Sequence, residues 1–226
     1  MRQFAAVVLA GGEARRLGGV VKPLIPVGGR PMLARVLDAT ASARPRIVVG
    51  PPELAPALPE GVRLVQEDPP GGGPVAAIAA AVRLLPPDTS RVAVLSGDLP
   101  FLTPAVLSDL AERLTGRLAG RLTERLTERL AGADEAADDG PHEAQAAVLL
   151  DGSGRPQWLC SMWRRSALDR RLDAIGPPAG VRVRDLVGDT AVLEVRVAAA
   201  PGPPPWFDCD TDSDIRQAEE WIDADS

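Results

Sequence analysis

The chain is poor in the side chains that most enzymes use for acid–base and nucleophilic chemistry. Among its 226 residues there is one histidine, His142, set in a polar, acidic stretch. That leaves almost no room for a histidine-based metal centre or a Ser-His-Asp triad. Two cysteines, Cys160 and Cys209, have no metal-ligand spacing and suggest no disulfide framework. Their scarcity fits a reducing, cytoplasmic setting, and the N-terminus lacks the charged-apolar-small order of a signal peptide. No apolar run approaches the length of a membrane span. Lysine is as rare as histidine: against 24 arginines stands the single Lys22.

What is present describes a globular protein. Hydrophobic residues make up 45% and charged residues 25% of the chain, and its length suits one domain, or one domain with an excursion. The net charge of −6 hides an asymmetry. Residues 1–65 carry nine basic and four acidic side chains, whereas residues 201–226 carry eight acidic and one basic. A basic first third suits a polyanionic ligand; the acidic tail argues against general nucleic-acid binding.

Lys22 closes a glycine-rich stretch, Leu9-Ala10-Gly11-Gly12-Glu13-Ala14-Arg15-Arg16-Leu17-Gly18-Gly19-Val20-Val21-Lys22, directly after an apolar run. Arginine is a rigid planar fork, while lysine is a flexible point charge that fits between phosphate oxygens in a narrow site. Backbone N–H groups and three cations around one hollow can hold a triphosphate. The stretch is neither a Walker A loop, since Val21 precedes and Pro23 follows the lysine, nor a G-x-G-x-x-G loop. The competing reading is a lysine surviving by chance in an arginine-biased chain.

Strand and helix patterns alternate around this loop. Apolar runs predict strands at Gln3–Leu9, Arg46–Val49, Val62–Val65, Arg91–Leu95, Ala146–Leu150, Gln157–Trp163 and Ala191–Val197. Helical patterns run from Pro31 to about Ala43, from Pro74 to Leu85, from near Pro104, from Arg164 to Ala174, and from near Asp212 to Trp221. The expected fold is α/β: three layers, Rossmann-like, around a mostly parallel sheet with right-handed crossovers. One interruption stands out. From Arg113 to Gly132 a four-residue unit, RLTG or a near copy, occurs five times. On a helix a period of four drifts by about 40° per repeat, so its leucines form a slanting stripe rather than one buried face. The repeat and the acidic stretch to residue 143 are therefore expected to be a peripheral extension of a single 1–226 domain, with a partner-binding helix as the alternative.

Leu9-Ala10-Gly11-Gly12, Arg16, Gly18 and Lys22 resemble the superfamily of nucleotidyltransferases headed by L-A-G-G-x-x-x-R-x-G and a following lysine. Within it the chain is most similar to the molybdenum cofactor guanylyltransferases. Gly28-Gly29-Arg30-Pro31-Met32 resembles the family's next turn, and Glu67-Asp68 with Gly73-Pro74 resembles its E-D…G-P-L loop. Gly97-Asp98-Leu99-Pro100 lies where the family has C-D-x-P, and Asp208-Cys209-Asp210-Thr211 resembles its last motif.

The resemblance implies a fold, a reaction and a site. Relatives that use CTP usually read L-A-A-G, so Gly11-Gly12 favours guanine. Leu9, Ala10, Gly11 and Gly12 would approach the nucleotide, and Asp68 would accept from the paired donors of guanine. Arg16 and Lys22 would hold phosphates, and Asp98 would hold Mg²⁺ at a strand's carboxyl end. Asp208 and Asp210, alternate residues of an assumed strand, would lie near the acceptor or contact a second metal. Relatives often have Asn at both positions, and also where this chain has Gly50.

The implied reaction moves GMP from GTP to the phosphate of molybdopterin, with no nucleic acid or membrane partner and a monomer or weak oligomer as the working state. Lys22 is expected to act on phosphates rather than on fold stability. Asp68 as an ordinary turn residue and Asp98 as a turn cap remain the plainer readings of those two acids. A sister enzyme using CTP, phospholactate or a sugar phosphate, and a binding protein without turnover, remain the alternatives for the whole.

Overall fold

The computed structural model describes residues 4–11, 21–116, 144–197 and 202–224. Seven strands form one sheet in the order β5-β4-β1-β6-β8-β7-β9. These are β1 (Ala5–Leu9), β4 (Arg46–Val49), β5 (Val62–Val65), β6 (Arg91–Ser96), β7 (Ala146–Leu150), β8 (Pro156–Arg164) and β9 (Val192–Val195). Every neighbouring pair is parallel except the two made by β8, which runs against both β6 and β7. A separate hairpin pairs β2 (Pro26–Val27) with β3 (Arg30–Pro31). The expected mostly parallel α/β sheet is what the chain forms.

Alternation along β1 explains the layers. Ala6, Val8 and Ala10 face a core shared with helix α1 (Met32–Ala39) and helix α3 (Pro104–Leu114), through Leu33, Val36, Leu107 and Leu110. Ala5, Val7 and Leu9 face a second core with helix α2 (Pro74–Val82), helix α4 (Arg165–Ile175) and helix α5 (Val183–Val187). A strand buried on both faces reads as an unbroken apolar run, and β1, β6 and β7 all do.

Several boundaries differ from the expected ones for identifiable reasons. Helix α1 stops at Ala39 rather than near Ala43, because the buried Thr40 turns its hydroxyl back to donate to the Leu37 carbonyl and Pro45 follows closely. The repeat does not begin as a peripheral segment. Arg113 and Leu114 are the last residues of α3, Arg113 pairs with Asp109, and Leu114 is 1% exposed in the main core. Residues 117–143, which hold the rest of the repeat and His142, lie outside the described residues. The β2–β3 hairpin, the 3-10 turn Pro52–Ala57 and α5 went unpredicted, each too short to show a period.

Helix α6 (Asp212–Ala224) begins with Thr211 as its cap. The Asp214 carboxylate accepts from the Thr211 N–H at 2.6 Å, and the Asp214 N–H donates to the Thr211 hydroxyl at 3.2 Å, a reciprocal capping box. This helix closes a third, smaller core of Val27, Met32, Cys209 and Ala218, with Ile25, Phe101, Phe207, Ile215 and Ile222 around it. Trp221 packs edge to face against both Phe101 and Phe207 of this core, the closer pair of centroids 4.8 Å apart. The C-terminal helix is thereby tied to the hairpin that follows Lys22 and to the loop that follows Asp98.

Gly28 is the tightest point of this junction. It starts the two-residue hairpin turn with φ +58°, followed by Gly29 at +70°. Its N–H donates to Glu219 of α6 at 3.0 Å. A Cβ there would lie 2.6 Å from the Arg35 guanidinium and 2.7 Å from Ile222. Gly28→Val should therefore destabilise the protein by about 2–4 kcal/mol, combining left-handed backbone strain with overpacking against α6. Denaturant unfolding with tryptophan fluorescence would check this, since Trp221 belongs to the displaced helix.

Candidate active site

The chain leaves β1 towards β4 and β5 on one side, then returns to place β6 on the other side of β1. Ligands of open α/β sheets bind in the crevice beyond the carboxyl ends of such strands. Here those ends are pressed together. The Gly97 N–H donates to the Leu9 carbonyl at 2.8 Å, and a Cβ on Gly97 would stand 3.1 Å from that same oxygen. Ala10 N–H donates to Val49, so Leu9 and Ala10 spend these backbone groups on the sheet. Gly11 is the first residue beyond it. Gly12 and Arg16, along with Gly18, lie outside the described residues.

Asp98 sits at this junction and is held from three directions. One carboxylate oxygen accepts from the Ser96 hydroxyl at 2.5 Å, the other meets the Lys22 ammonium at 2.5 Å, and its backbone carbonyl accepts from the Cys209 N–H at 3.3 Å. Ser96 was not singled out in the sequence. It is the last residue of β6, two residues before Asp98 in the following turn, within reach of its carboxylate.

Lys22 opens a short 3-10 turn, Lys22–Leu24, with Pro23 in the position where a missing N–H costs nothing. Its ammonium also meets the Asp210 carboxylate at 2.6 Å. The two acids differ in setting: the side chain of Asp98 is 15% exposed and that of Asp210 is 69% exposed. Burial works against charge on Lys22, but Asp98 and Asp210 outweigh it and hold the ammonium above its ordinary pKa.

The segment carrying Asp208 and Asp210 is extended but has no sheet partner, so the assumed strand is absent. Alternation still holds. Cys209 turns into the third core, while Asp208 and Asp210 are exposed. Burial, followed by the charge of Asp98, pushes the Cys209 thiol up to about 12, which makes it an anchor and not a nucleophile. Partial desolvation, then the neighbouring Asp210, raises the carboxyl of Asp208 above the ordinary aspartate value.

On the β5 side, the structure leaves Asp68 exposed and buries Glu67. Glu67 accepts from the Gly71 N–H at 3.0 Å, and a Cβ on Gly11 would lie 3.9 Å from its carboxylate. Glu67 thus braces the second glycine-rich loop beside the first. Nothing in the sequence ranks Glu67 above Asp68, because the two acids are adjacent. Helix α2 starts just beyond this loop, at Gly73-Pro74.

Among the described residues no group of three or more Asp, Glu, His or Cys side chains comes together to hold a metal. Asp98 and Asp210 do converge on one point, with hard oxygen donors. That donor set fits an ion such as Mg²⁺, which takes one or two carboxylates and completes its shell with water and substrate phosphate.

Removing Lys22 would leave Asp98 and Asp210 facing each other without that cation, which sets a predicted effect on stability against the expectation that the lysine acts on phosphates alone. Lys22→Met should lower Tm at neutral pH. Because the folded pKa of Lys22 is raised, its contribution is fully present below the unfolded lysine value and lost as pH rises through the folded one. The Tm difference should therefore close only above about pH 10.4, the ordinary value. Calorimetry from neutral to alkaline pH would check this.

Comparison with known proteins adds independent findings. Residues 6–191 match the MobA-like NTP transferase domain. A probable molybdenum cofactor guanylyltransferase of Haloferax mediterranei is 34% identical over 118 residues, 50% of this chain and 55% of that protein. The chain thus spans little more than half the length of the archaeal relatives it matches. A protein of the same description from Mycobacterium tuberculosis is 27% identical over 192 residues, 83% of this chain and 80% of that one. Among solved structures, molybdopterin-guanine dinucleotide biosynthesis protein A of Archaeoglobus fulgidus has a TM-score of 0.65 at 21% identity, covering 99% of this chain and 100% of that one. A 4-diphosphocytidyl-2C-methyl-D-erythritol synthase of Anaerococcus prevotii has 0.64 at 14% identity, covering 98% and 99%, and shares the fold alone. With the match running through most of its length, the chain belongs to the MobA-like NTP transferase family.

Proposed function

We propose that this protein transfers GMP from GTP to the phosphate of molybdopterin and releases pyrophosphate. The observation that carries the reading is the Lys22–Asp98 pair at the crevice between β1 and β6, 2.5 Å apart, in a chain of this family. The ammonium serves the phosphates, and the carboxylate serves a divalent cation. Mg²⁺ there would neutralise charge on the phosphates. A molybdopterin phosphate oxygen attacks the α-phosphorus of GTP, the bond to the bridging oxygen breaks, and pyrophosphate leaves with that electron pair. The nucleophile is already anionic at neutral pH, so no general base is required. What remains for the protein is to hold two anions in line and to neutralise charge. A cytoplasmic location follows from the substrates.

Guanine is favoured by Gly11. Among the described residues a Cβ there would meet only ordinary contacts, 3.6 Å from Gly50 and 3.8 Å from Val49, so their packing does not require the glycine. Room for a purine is a reason for it. Asp68, at the exposed lip of the second loop, is the carboxylate assigned to the paired guanine donors, with Glu67 holding that loop in place. Arg16 is assigned to the phosphates, and Asp208 with Asp210 to the acceptor side.

Pyrophosphate release tests the reading. With Mg²⁺ and molybdenum-loaded molybdopterin, GTP should support turnover and CTP, ATP and UTP little, because only guanine offers the assigned carboxylate two adjacent donors. Turnover with CTP, or with GTP and a sugar phosphate or phospholactate, would move the chain to a sister activity on the same fold. Asp98→Asn should lower the rate on the order of 100-fold or more while the fold persists, since the change is nearly isosteric but removes the charge. Lys22→Arg should also be impaired, because a planar fork does not replace a point charge.

A further inference from the structure

We infer that Lys22 is an exchangeable cation: its ammonium holds the position between Asp98 and Asp210 that a divalent metal ion takes, and it yields that position when nucleotide phosphates arrive. The inference rests on the proposed reading of this cluster as a metal and phosphate site, and adds how the two ligands are coupled. It starts from two distances. The Lys22 nitrogen lies 2.5 Å from an Asp98 oxygen and 2.6 Å from an Asp210 oxygen, so it fills the point where the carboxylates converge. A Mg²⁺-sized ion takes oxygens at about 2.0–2.1 Å, and the same pair of oxygens cannot hold it and an ammonium together.

The cost of exchange falls on the lysine. Metal binding alone breaks both ion pairs and leaves a side chain that is only 16% exposed without an anion. A phosphate group beside it supplies the missing partner. Metal and nucleotide therefore bind cooperatively through Lys22, over and above the chelation of metal by the nucleotide itself. Each favours the state in which the lysine has turned from the carboxylates to the phosphates. The two arms of the clasp are unequal. Asp98 is also held by Ser96 and by its backbone link to Cys209, whereas Asp210 is 69% exposed at the rim, so the Asp210 arm opens first.

Binding of Mn²⁺, followed by loss of the free-ion EPR signal, tests this without turnover. With protein alone, Lys22→Met should bind Mn²⁺ at least about tenfold more tightly than wild type, a competing positive charge having been removed. A GTP analogue with a methylene bridge between its α and β phosphorus atoms should tighten Mn²⁺ binding more in wild type than in Lys22→Met. Equal or weaker Mn²⁺ affinity in a folded Lys22→Met protein would overturn the inference. Asp98→Asn should lose Mn²⁺ binding. Wild-type affinity in that variant would mean that the cation site itself is wrongly assigned, a separate failure.

Wild type offers a measurement that does not depend on the variant folding. With one lysine in the chain, a ¹⁵N-lysine label gives one side-chain ammonium resonance. That resonance should move when Mg²⁺ and the analogue bind together. If both bind and it stays in place, the lysine has not exchanged and the inference fails.

Discussion

One ammonium joins three parts of the chain that are remote in sequence. Lys22 reaches Asp98, 76 residues away, and Asp210, 188 residues away, and both contacts are at hydrogen-bond distance. Without it the carboxyl end of β6 and the segment before α6 would present two like charges to each other. The first loop, the β6 loop and the C-terminal segment are thus coupled electrically where they are also coupled by packing. Burial of Cys209 draws Asp208 and Asp210 to the crevice, and its N–H ties that segment to the Asp98 backbone.

The third core makes this arrangement possible. The sheet and its flanking helices form two cores of their own, and neither includes α6. The small core under α6 instead sets a hairpin from the beginning of the chain against a helix from its end. Phe101, three residues after Asp98, and Phe207, one before Asp208, are both in it. Asp98 and Asp208 therefore each have an aromatic anchor close by in sequence. A site assembled from loops gains rigidity this way, since the loops are pinned by buried rings and not by their own hydrogen bonds alone.

Much of this was legible in the sequence because burial writes simple patterns. The strands Arg46–Val49 and Val62–Val65 were bounded as they occur, since short β-branched runs between turn residues have few other readings. The C-terminal helix was legible from its cap. The site was legible in its residue types, because a lone lysine after a glycine-rich stretch and an acid after a strand are chemical signals. The partnerships were not. No local period links residue 22 to residue 210, and nothing distinguishes Glu67 from Asp68 until the Gly71 N–H selects one of them for burial. The expectation that Lys22 leaves stability untouched took no account of the acids that surround it.

The rarity of lysine also acquires a physical sense. Away from the crevice, arginines brace the structure among the described residues: Arg165 with Asp169, Arg171 with Asp189, Arg182 with Asp185. Arg182 holds Asp185 through two donors, and Arg171 reaches Asp189 together with the Leu186 and Asp185 carbonyls, which a planar fork of several donors allows. At the crevice the requirement is different. Two carboxylates approach one point from separate elements, and on the proposed reading the group between them serves acids in one state and phosphates in another. A compact ammonium on a flexible stem can turn between such partners, whereas a guanidinium would need its whole plane reoriented. On that reading the residue the chain otherwise avoids stands where a mobile point charge suits the task better than an arginine fork.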